Sequence, residues 1–248
     1  MRLRDCALSV IVLSCMSACG GMQSSRQLDA GSDSGRAVEA NIGLAEQYIE
    51  SKDYEAALDK LQRALRIDGS SAAAYSMLGL LYERINRQQL AEQNYAKSAR
   101  LAPDKGDIQN NYAQWLCHSG HPAESDAYFR KALDDPFYKT PAAALGNAGA
   151  CAQMAGKLDV SESYYRQLLA LDSNSIDALQ QLAALLYQRG DYLRARAFME
   201  RRVNAGAANP QMLDLAARIE DKLGDRDAAD GYRKRLVSEF PQYTTGQL

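Results

Sequence analysis

One turn-forming position recurs along this chain at a fixed interval. In the second half it is occupied by glycines, with one offset of two residues: Gly120, Gly156, Gly190 and Gly224. Counting back by the same interval of about 34 residues gives Asn86 and then Lys52. Glycine and asparagine accept the left-handed backbone conformation that closes a helix. The chain is therefore predicted to be a stack of similar helical units, each with a turn at this position.

The residues around this turn resemble the tetratricopeptide repeat, a hairpin of two helices, A and B. Its pattern places an aromatic residue, Leu, Gly and Tyr on helix A, Ala and an aromatic residue on helix B, and Pro at the end. The clearest copy comprises Tyr75, Leu78, Gly79, Tyr82, Ala91, Tyr95 and Pro103. The copies start at Val38, Ala72, Gly106, Ala142, Ile176 and Pro210, with a two-residue insertion before the fourth. The resemblance implies an all-α chain, a right-handed superhelical solenoid of about six helix-turn-helix repeats.

Composition excludes several classes of function. The chain has 29 basic and 31 acidic residues, and its formal net charge is -2. Such a balance gives no broad surface that attracts nucleic acid or anionic lipid. The sequence has no Walker loop, no HExxH, no nucleophile elbow and no paired CxxC. We expect a protein-binding module and not an enzyme, with no cofactor, no metal, no nucleic-acid partner and no small-molecule substrate.

One cluster in the sequence hints at a metal site. Cys117 and His118 are followed closely by His121. However, Gly120 precedes His121 and Pro122 follows it, so a helix would not continue through the cluster. A fourth ligand is not evident nearby, and an ordinary helix end is the preferred interpretation.

The first residues are typical of an export signal. Arg2 and Arg4 precede an apolar run that is shorter than the roughly 20 residues needed to span a bilayer. The run ends in Met16-Ser17-Ala18-Cys19-Gly20, which resembles the bacterial lipobox. That resemblance implies a signal peptide over residues 1–18 and a diacylglycerol on Cys19. Because the residue after Cys19 is Gly20 and not aspartate, the lipoprotein sorting rule implies the periplasmic face of the outer membrane. The alternative is a plain signal peptide cleaved near Ala18.

The remaining chain divides into three predicted parts. Residues 19–37 are read as the lipidated cysteine and a flexible tether, because they contain few apolar residues. Residues 38–241 form the repeat domain, and residues 242–248 a C-terminal tail. In the last repeat, Glu220 and Arg233 occupy positions that are apolar or aromatic in other copies. We therefore expect this repeat to be a cap with a wet outer face.

Two local stretches resemble the PilF/PilW family of type IV pilus biogenesis lipoproteins. Residues Asn110 to Cys117 resemble that family's third repeat, and residues Asp135 to Cys151 its junction between the third and fourth repeats. The resemblance implies a pilotin, which binds the type IV pilus secretin subunit and promotes its localisation and multimerisation, and so pilus biogenesis and twitching motility. The alternative is a general envelope scaffold or adaptor lipoprotein, a protease adaptor or outer-membrane assembly factor.

The concave face of the A helices is the default binding surface of such a solenoid. The family positions that face it include Ser76, Leu80, Glu83, Asp107, Asn110, Gln114, Gly146 and Gln153. Asn110 and Gln114 lie about one helical turn apart and are candidates to bind a partner's backbone. A simple solvated face is the alternative for each of these residues.

The two internal cysteines lie on neighbouring A helices, at the twelfth position of the third repeat (Cys117) and the tenth of the fourth (Cys151). Neighbouring helices pack about 8–10 Å apart, so residues at similar height can approach within the roughly 4.4–6.8 Å between Cα atoms that a disulfide needs. An oxidising periplasm would allow the bond to persist. The alternative is two separate buried thiols.

Overall fold

The computed structural model describes residues 22–243, with side chains described from residue 33. This part of the chain forms twelve helices: α1 (Met22–Glu50), α2 (Tyr54–Ile67), α3 (Ala72–Arg84), α4 (Gln88–Leu101), α5 (Gly106–His118), α6 (Pro122–Asp134), α7 (Pro141–Met154), α8 (Leu158–Leu171), α9 (Ile176–Gln188), α10 (Tyr192–Ala205), α11 (Pro210–Leu223) and α12 (Arg226–Glu239). Within residues 22–243, no helix has both the length and the apolar content that a membrane crossing requires.

The helices are arranged as six hairpins stacked in chain order. Each odd-numbered helix packs on the even-numbered helix that follows it, and each hairpin packs on the next. The helices α3, α5, α9 and α11 begin at the predicted repeat starts, and α7 begins at Pro141, one residue early. The predicted all-α solenoid of tetratricopeptide repeats is confirmed.

The turn inside every hairpin has a left-handed residue at the predicted position. Lys52 has a φ of 64° and Asn86 a φ of 57°. The four glycines at this position have φ values between 72° and 97°. A left-handed residue ends helix A and reverses the chain direction, so the in-phase glycines do mark the hairpin turns.

Side-chain caps fix where several B helices begin. Asp53, Asp191 and Asp225 each accept a hydrogen bond from the backbone N–H three residues later. Such a cap satisfies one of the N–H groups that the first turn of a helix leaves free. These aspartates follow the turn directly, so turn and cap together set the register of the second helix.

Helix α1 departs from the predicted domain boundary. It begins at Met22, so the described part of the segment that we expected to be a flexible tether is helical. Val38 is the first buried residue among the side chains described from residue 33 onward, and it lies at the predicted repeat start. Residues 22–37 contain no proline, so none of them lacks the backbone N–H that helical hydrogen bonding requires. Residues 1–21, with the predicted signal peptide and Cys19, lie outside the described residues, as do residues 244–248 of the predicted tail.

In the last repeat, Glu220, one of the two residues that depart from the repeat pattern, forms an ion pair with Arg196. Glu220 is only 6% exposed, contrary to the predicted wet face. Its carboxylate accepts from Nε of Arg196 at 3.1 Å and from Nη2 of the same guanidinium. Pairing with a guanidinium is what allows a carboxylate to be buried. Arg233 is exposed, as expected, and pairs with Asp221 and Asp230.

Candidate partner-binding site

A cavity of about 310 Å³ lies between α3 and α5, the A helices of the second and third repeats; we call it the groove cavity. Its lining mixes apolar, aromatic, amide and charged side chains, as binding pockets do. The lining residues are Ser76, Met77, Leu80, Glu83, Arg84, Tyr95, Asn111, Gln114, Trp115 and His118.

Hydrogen bonds hold two parts of the wall of the groove cavity in place. Asn111 Nδ2 donates to Ser76 Oγ at 3.1 Å, which ties α5 to α3. The hydroxyl of Tyr95 donates to Glu83 Oε2 at 3.0 Å. Burial raises the pKa of Tyr95, and the neighbouring Glu83 carboxylate raises it further. Tyr95 therefore remains a donor that orients Glu83 at any physiological pH.

Trp115 is the one tryptophan of the chain and forms part of the groove wall. It is 5% exposed, and its ring stacks with Tyr112 and is tilted against Tyr95, with centroids 6.1 Å apart in both pairs. Its indole Nε1 is buried and has no hydrogen-bond partner among the described residues. Buried tryptophan N–H groups usually find an acceptor, so this position is unusual.

A second cavity, of about 520 Å³, adjoins the first; we call it the end cavity. It lies where α3 and α5 end and α4 begins. Its lining residues are Glu83, Gln88, Gln89, Glu92, Trp115, His118, Ser119 and His121. Glu83, Trp115 and His118 line both cavities. The two cavities therefore share a wall and lie side by side on the surface of the second and third repeats.

The structure brings together only part of the set of groove residues predicted from sequence. Ser76, Leu80, Glu83 and Gln114 line the groove cavity. Asp107 lines a different cavity, of about 830 Å³, near the starts of α3, α5 and α7.

The other three predicted groove residues line neither of the two adjoining cavities. Asn110 is 6% exposed, and its Oδ1 has no hydrogen-bond partner among the described residues. Helix α5 packs against both α3 and α7, which leaves less of its surface free. Gly146 and Gln153 are half-buried on α7.

Sequence reasoning missed Asn111, Trp115 and His118 as groove residues. They lie on α5 and face the cavity because of how α3 packs on it. The occurrence of a single tryptophan in a repeat chain was the available signal, since tryptophan is enriched where partners bind.

The junction between the third and fourth repeats is pinned to the start of α5. Asp135 Oδ2 accepts from the backbone N–H of Gly106 at 2.8 Å, and its Oδ1 accepts from that of Phe137 at 2.9 Å. These bonds hold the pKa of Asp135 below its ordinary value. The ring of Tyr138 fills the space that a side chain at Gly106 would occupy. The inserted residues thus form an ordered loop that presents Phe137 to solvent.

A disulfide joins the A helices of the third and fourth repeats. The Sγ atoms of Cys117 and Cys151 are 2.07 Å apart, and their Cα atoms 5.7 Å apart. Both cysteines are buried in a cluster that includes Phe129, Leu145 and Tyr165. The bond leaves Cys117 no thiolate to offer a metal. Within residues 33–243, no group of three or more His, Cys, Asp or Glu side chains is placed to hold a metal ion.

Comparison with known proteins agrees with this architecture. Family models described as "TPR repeat" and "Tetratricopeptide repeat" match residues 45–86 and 72–105. The chain is 26% identical to the type IV pilus assembly protein PilF of Pseudomonas aeruginosa over 234 residues, which cover 94% of this chain and 91% of PilF.

Two solved structures are also similar. The crystal structure of PilW, a widely conserved type IV pilus biogenesis factor, has a TM-score of 0.71 at 29% identity, and the match covers 83% of this chain and 94% of PilW. The structure of Pseudomonas aeruginosa PilF has a TM-score of 0.72 at 26% identity, covering 85% of this chain and 95% of PilF. The chain is thus a tetratricopeptide-repeat protein homologous to PilF and PilW, proteins of type IV pilus biogenesis.

Proposed function

We propose that this protein is a pilotin: an outer-membrane lipoprotein that binds the type IV pilus secretin subunit and promotes its localisation and multimerisation. The observation that carries the proposal is the similarity to PilF and PilW, which extends over nearly the whole chain. Tetratricopeptide repeats alone occur in proteins of many functions. A match limited to the repeats would therefore support binding without indicating the partner.

In this proposal the lipid anchor, the segment before Val38 and the two cavities each have a separate role. Acyl chains on Cys19 would anchor the protein to the periplasmic face of the outer membrane, since several acyl chains anchor stably where one does not. The segment before Val38 would set the distance between the membrane and the repeat domain. The groove cavity and the end cavity would hold a segment of the secretin, so that the secretin travels with the lipoprotein.

The architecture suits binding in preference to catalysis. The groove is formed by side chains on rigid helices that are tied by the Asn111–Ser76 and Tyr95–Glu83 hydrogen bonds. Binding sites on rigid elements lose little conformational entropy when a partner docks. A solenoid presents such a surface without needing a closed pocket.

Capture from envelope extract tests the proposal. The mature protein, immobilised through its C-terminus, is expected to retain the secretin subunit, and deletion of its gene to abolish secretin multimers and twitching. Retention of an envelope protease or a barrel-assembly protein without the secretin would instead favour the general adaptor function. Normal secretin multimers in the deletion strain would contradict the pilotin proposal.

A further inference from the structure

The end cavity is lined by more acidic than permanently basic side chains. Glu83 and Glu92 line it, its other titratable residues are His118 and His121, and none of its lining residues is a lysine or an arginine. Arg84, the cation nearest in sequence to Glu83, lines the groove cavity but not the end cavity. A concave site lined by carboxylates attracts a cationic group and repels an anionic one.

The position of Glu83 is fixed, because its Oε2 accepts from the hydroxyl of the buried Tyr95. That bond uses one lone pair of one carboxylate oxygen, and a carboxylate has about four acceptor sites. Glu83 therefore retains acceptor capacity toward the cavity. Glu92 is exposed on α4, the helix that begins beside the cavity.

The buried indole of Trp115 is a second and independent observation. Trp115 is one of three residues that line both the end cavity and the groove cavity, and its Nε1–H has no acceptor among the described residues. A buried donor left without an acceptor has lost its hydrogen bonds to water without replacing them, which is unfavourable. A backbone carbonyl oxygen, which every residue of a bound polypeptide carries, could accept the hydrogen bond from this N–H.

We propose that the end cavity binds a lysine or arginine side chain of a partner polypeptide between the carboxylates of Glu83 and Glu92, while a backbone carbonyl of the same segment accepts the Nε1–H of Trp115. The segment then continues along the groove cavity past Gln114. Because Nε1 is covered in the unbound protein, side chains around Trp115 must part, and such rotamer changes are common when partners bind. The inference names the chemistry of the segment that the proposed function requires.

Because the chain contains one tryptophan, its intrinsic fluorescence reports directly on this site. The mature protein is titrated with four blocked tripeptides: acetyl-Lys-Lys-Lys-amide, acetyl-Arg-Arg-Arg-amide, acetyl-Ala-Ala-Ala-amide and acetyl-Glu-Glu-Glu-amide. We expect a saturable change in tryptophan emission with the lysine and arginine peptides and none with the other two. Added salt should weaken the binding, because the attraction is between charges.

Two matched variants decide whether the site is the end cavity. Glu83→Gln with Glu92→Gln keeps the shape and an acceptor for Tyr95 but removes both charges, and it should raise the Kd of the lysine peptide about tenfold. Glu46→Gln with Glu50→Gln removes two charges from the exposed side of α1, outside both cavities, and should leave the Kd unchanged. Circular dichroism checks that each variant is folded, and Glu92→Gln alone, at an exposed residue, should show a smaller increase in Kd.

The proposal is overturned if the glutamate peptide binds as well as the lysine peptide, if the cavity variant binds like the wild type, or if the α1 variant loses as much affinity. These outcomes are separate from those of the pilotin proposal. Short basic peptides test the end cavity whichever envelope protein is the partner, and secretin capture by the wild-type protein tests the partner without testing the end cavity.

Discussion

Gly149 lies directly against the ring of Tyr165, so that a Cβ atom at this glycine would be 2.7 Å from a ring carbon. Gly79 and Tyr95 of the second repeat, two repeats earlier, have the same relationship at the same distance. In both hairpins the glycine on helix A lets the aromatic residue of helix B approach the backbone. Close packing at this point is what fixes the angle between the two helices.

Gly149→Ala is therefore expected to lower the free energy of unfolding by about 1–3 kcal/mol, through overpacking. Helix propensity alone predicts the opposite sign, a gain of about 0.5–1 kcal/mol. Gly43→Ala is the control, because it lies within α1 and a Cβ atom there would meet nothing within 4 Å. Urea unfolding followed by circular dichroism measures both, and stabilisation by Gly149→Ala would contradict the packing account.

The Cys117–Cys151 bond closes a loop with a sequence separation of 34 residues. For a loop of this length, the chain-entropy model gives a stabilisation of about 3–4 kcal/mol. We expect Cys117→Ala with Cys151→Ala to lower the free energy of unfolding by about that amount. In the unfolded, non-reduced mature protein, a thiol reagent should label neither cysteine, and labelling of both would disprove the bond.

The Arg196–Glu220 pair links α10 to α11 across the last repeat boundary. Arg196→Met should destabilise the protein by about 2–3 kcal/mol, because it leaves the buried Glu220 carboxylate without its guanidinium. Adding Glu220→Leu should restore most of that loss, since an apolar pair of similar volume can replace a buried ion pair. Thermal unfolding of the single and double variants measures the coupling. If the double variant is no more stable than Arg196→Met, the pairing does not explain the burial of Glu220.

Gln114 and Gln153 give a matched test of the groove, since both were predicted from repeat position but only Gln114 lines the groove cavity. Gln114→Ala should weaken secretin capture several-fold, within the roughly 1 kcal/mol typical of a single interface residue. Gln153→Ala should leave capture unchanged, and neither should shift the melting temperature by more than a few degrees. Equal loss in both variants would remove the groove cavity from the site.

Cys19→Ser tests the anchor. Without the thiol no acyl chain can be attached, so the protein should leave the outer-membrane fraction as soluble periplasmic protein or unprocessed precursor. The secretin should then be mislocalised under the pilotin proposal. Membrane flotation of the variant and the wild type, with immunodetection of both proteins, is the measurement. Flotation of the variant with outer membranes would disprove lipid anchoring through Cys19.

The repeat structure could be predicted from sequence because its determinants are local. The left-handed turns need glycine or asparagine, and the hairpins need small and aromatic residues at set distances along the chain. Such requirements recur in each copy, so the starts at Ala72, Gly106, Ile176 and Pro210 follow from counting. The proximity of Cys117 and Cys151 could also be inferred, since adjacent helix A positions have a known spacing.

The content of the groove was decided only by the tertiary structure. Helical periodicity places Asn110 and Gln114 on one face of α5. In the structure α5 packs against both α3 and α7; Asn110 is buried, whereas Gln114 lines the groove cavity. Trp115 and His118 line the cavities together with residues of other helices. Glu220 is buried beside Arg196, which lies 24 residues before it in the chain. Spacing along a helix determines which residues share a face, but burial and charge partners depend on what packs there from another helix, and no single segment encodes that.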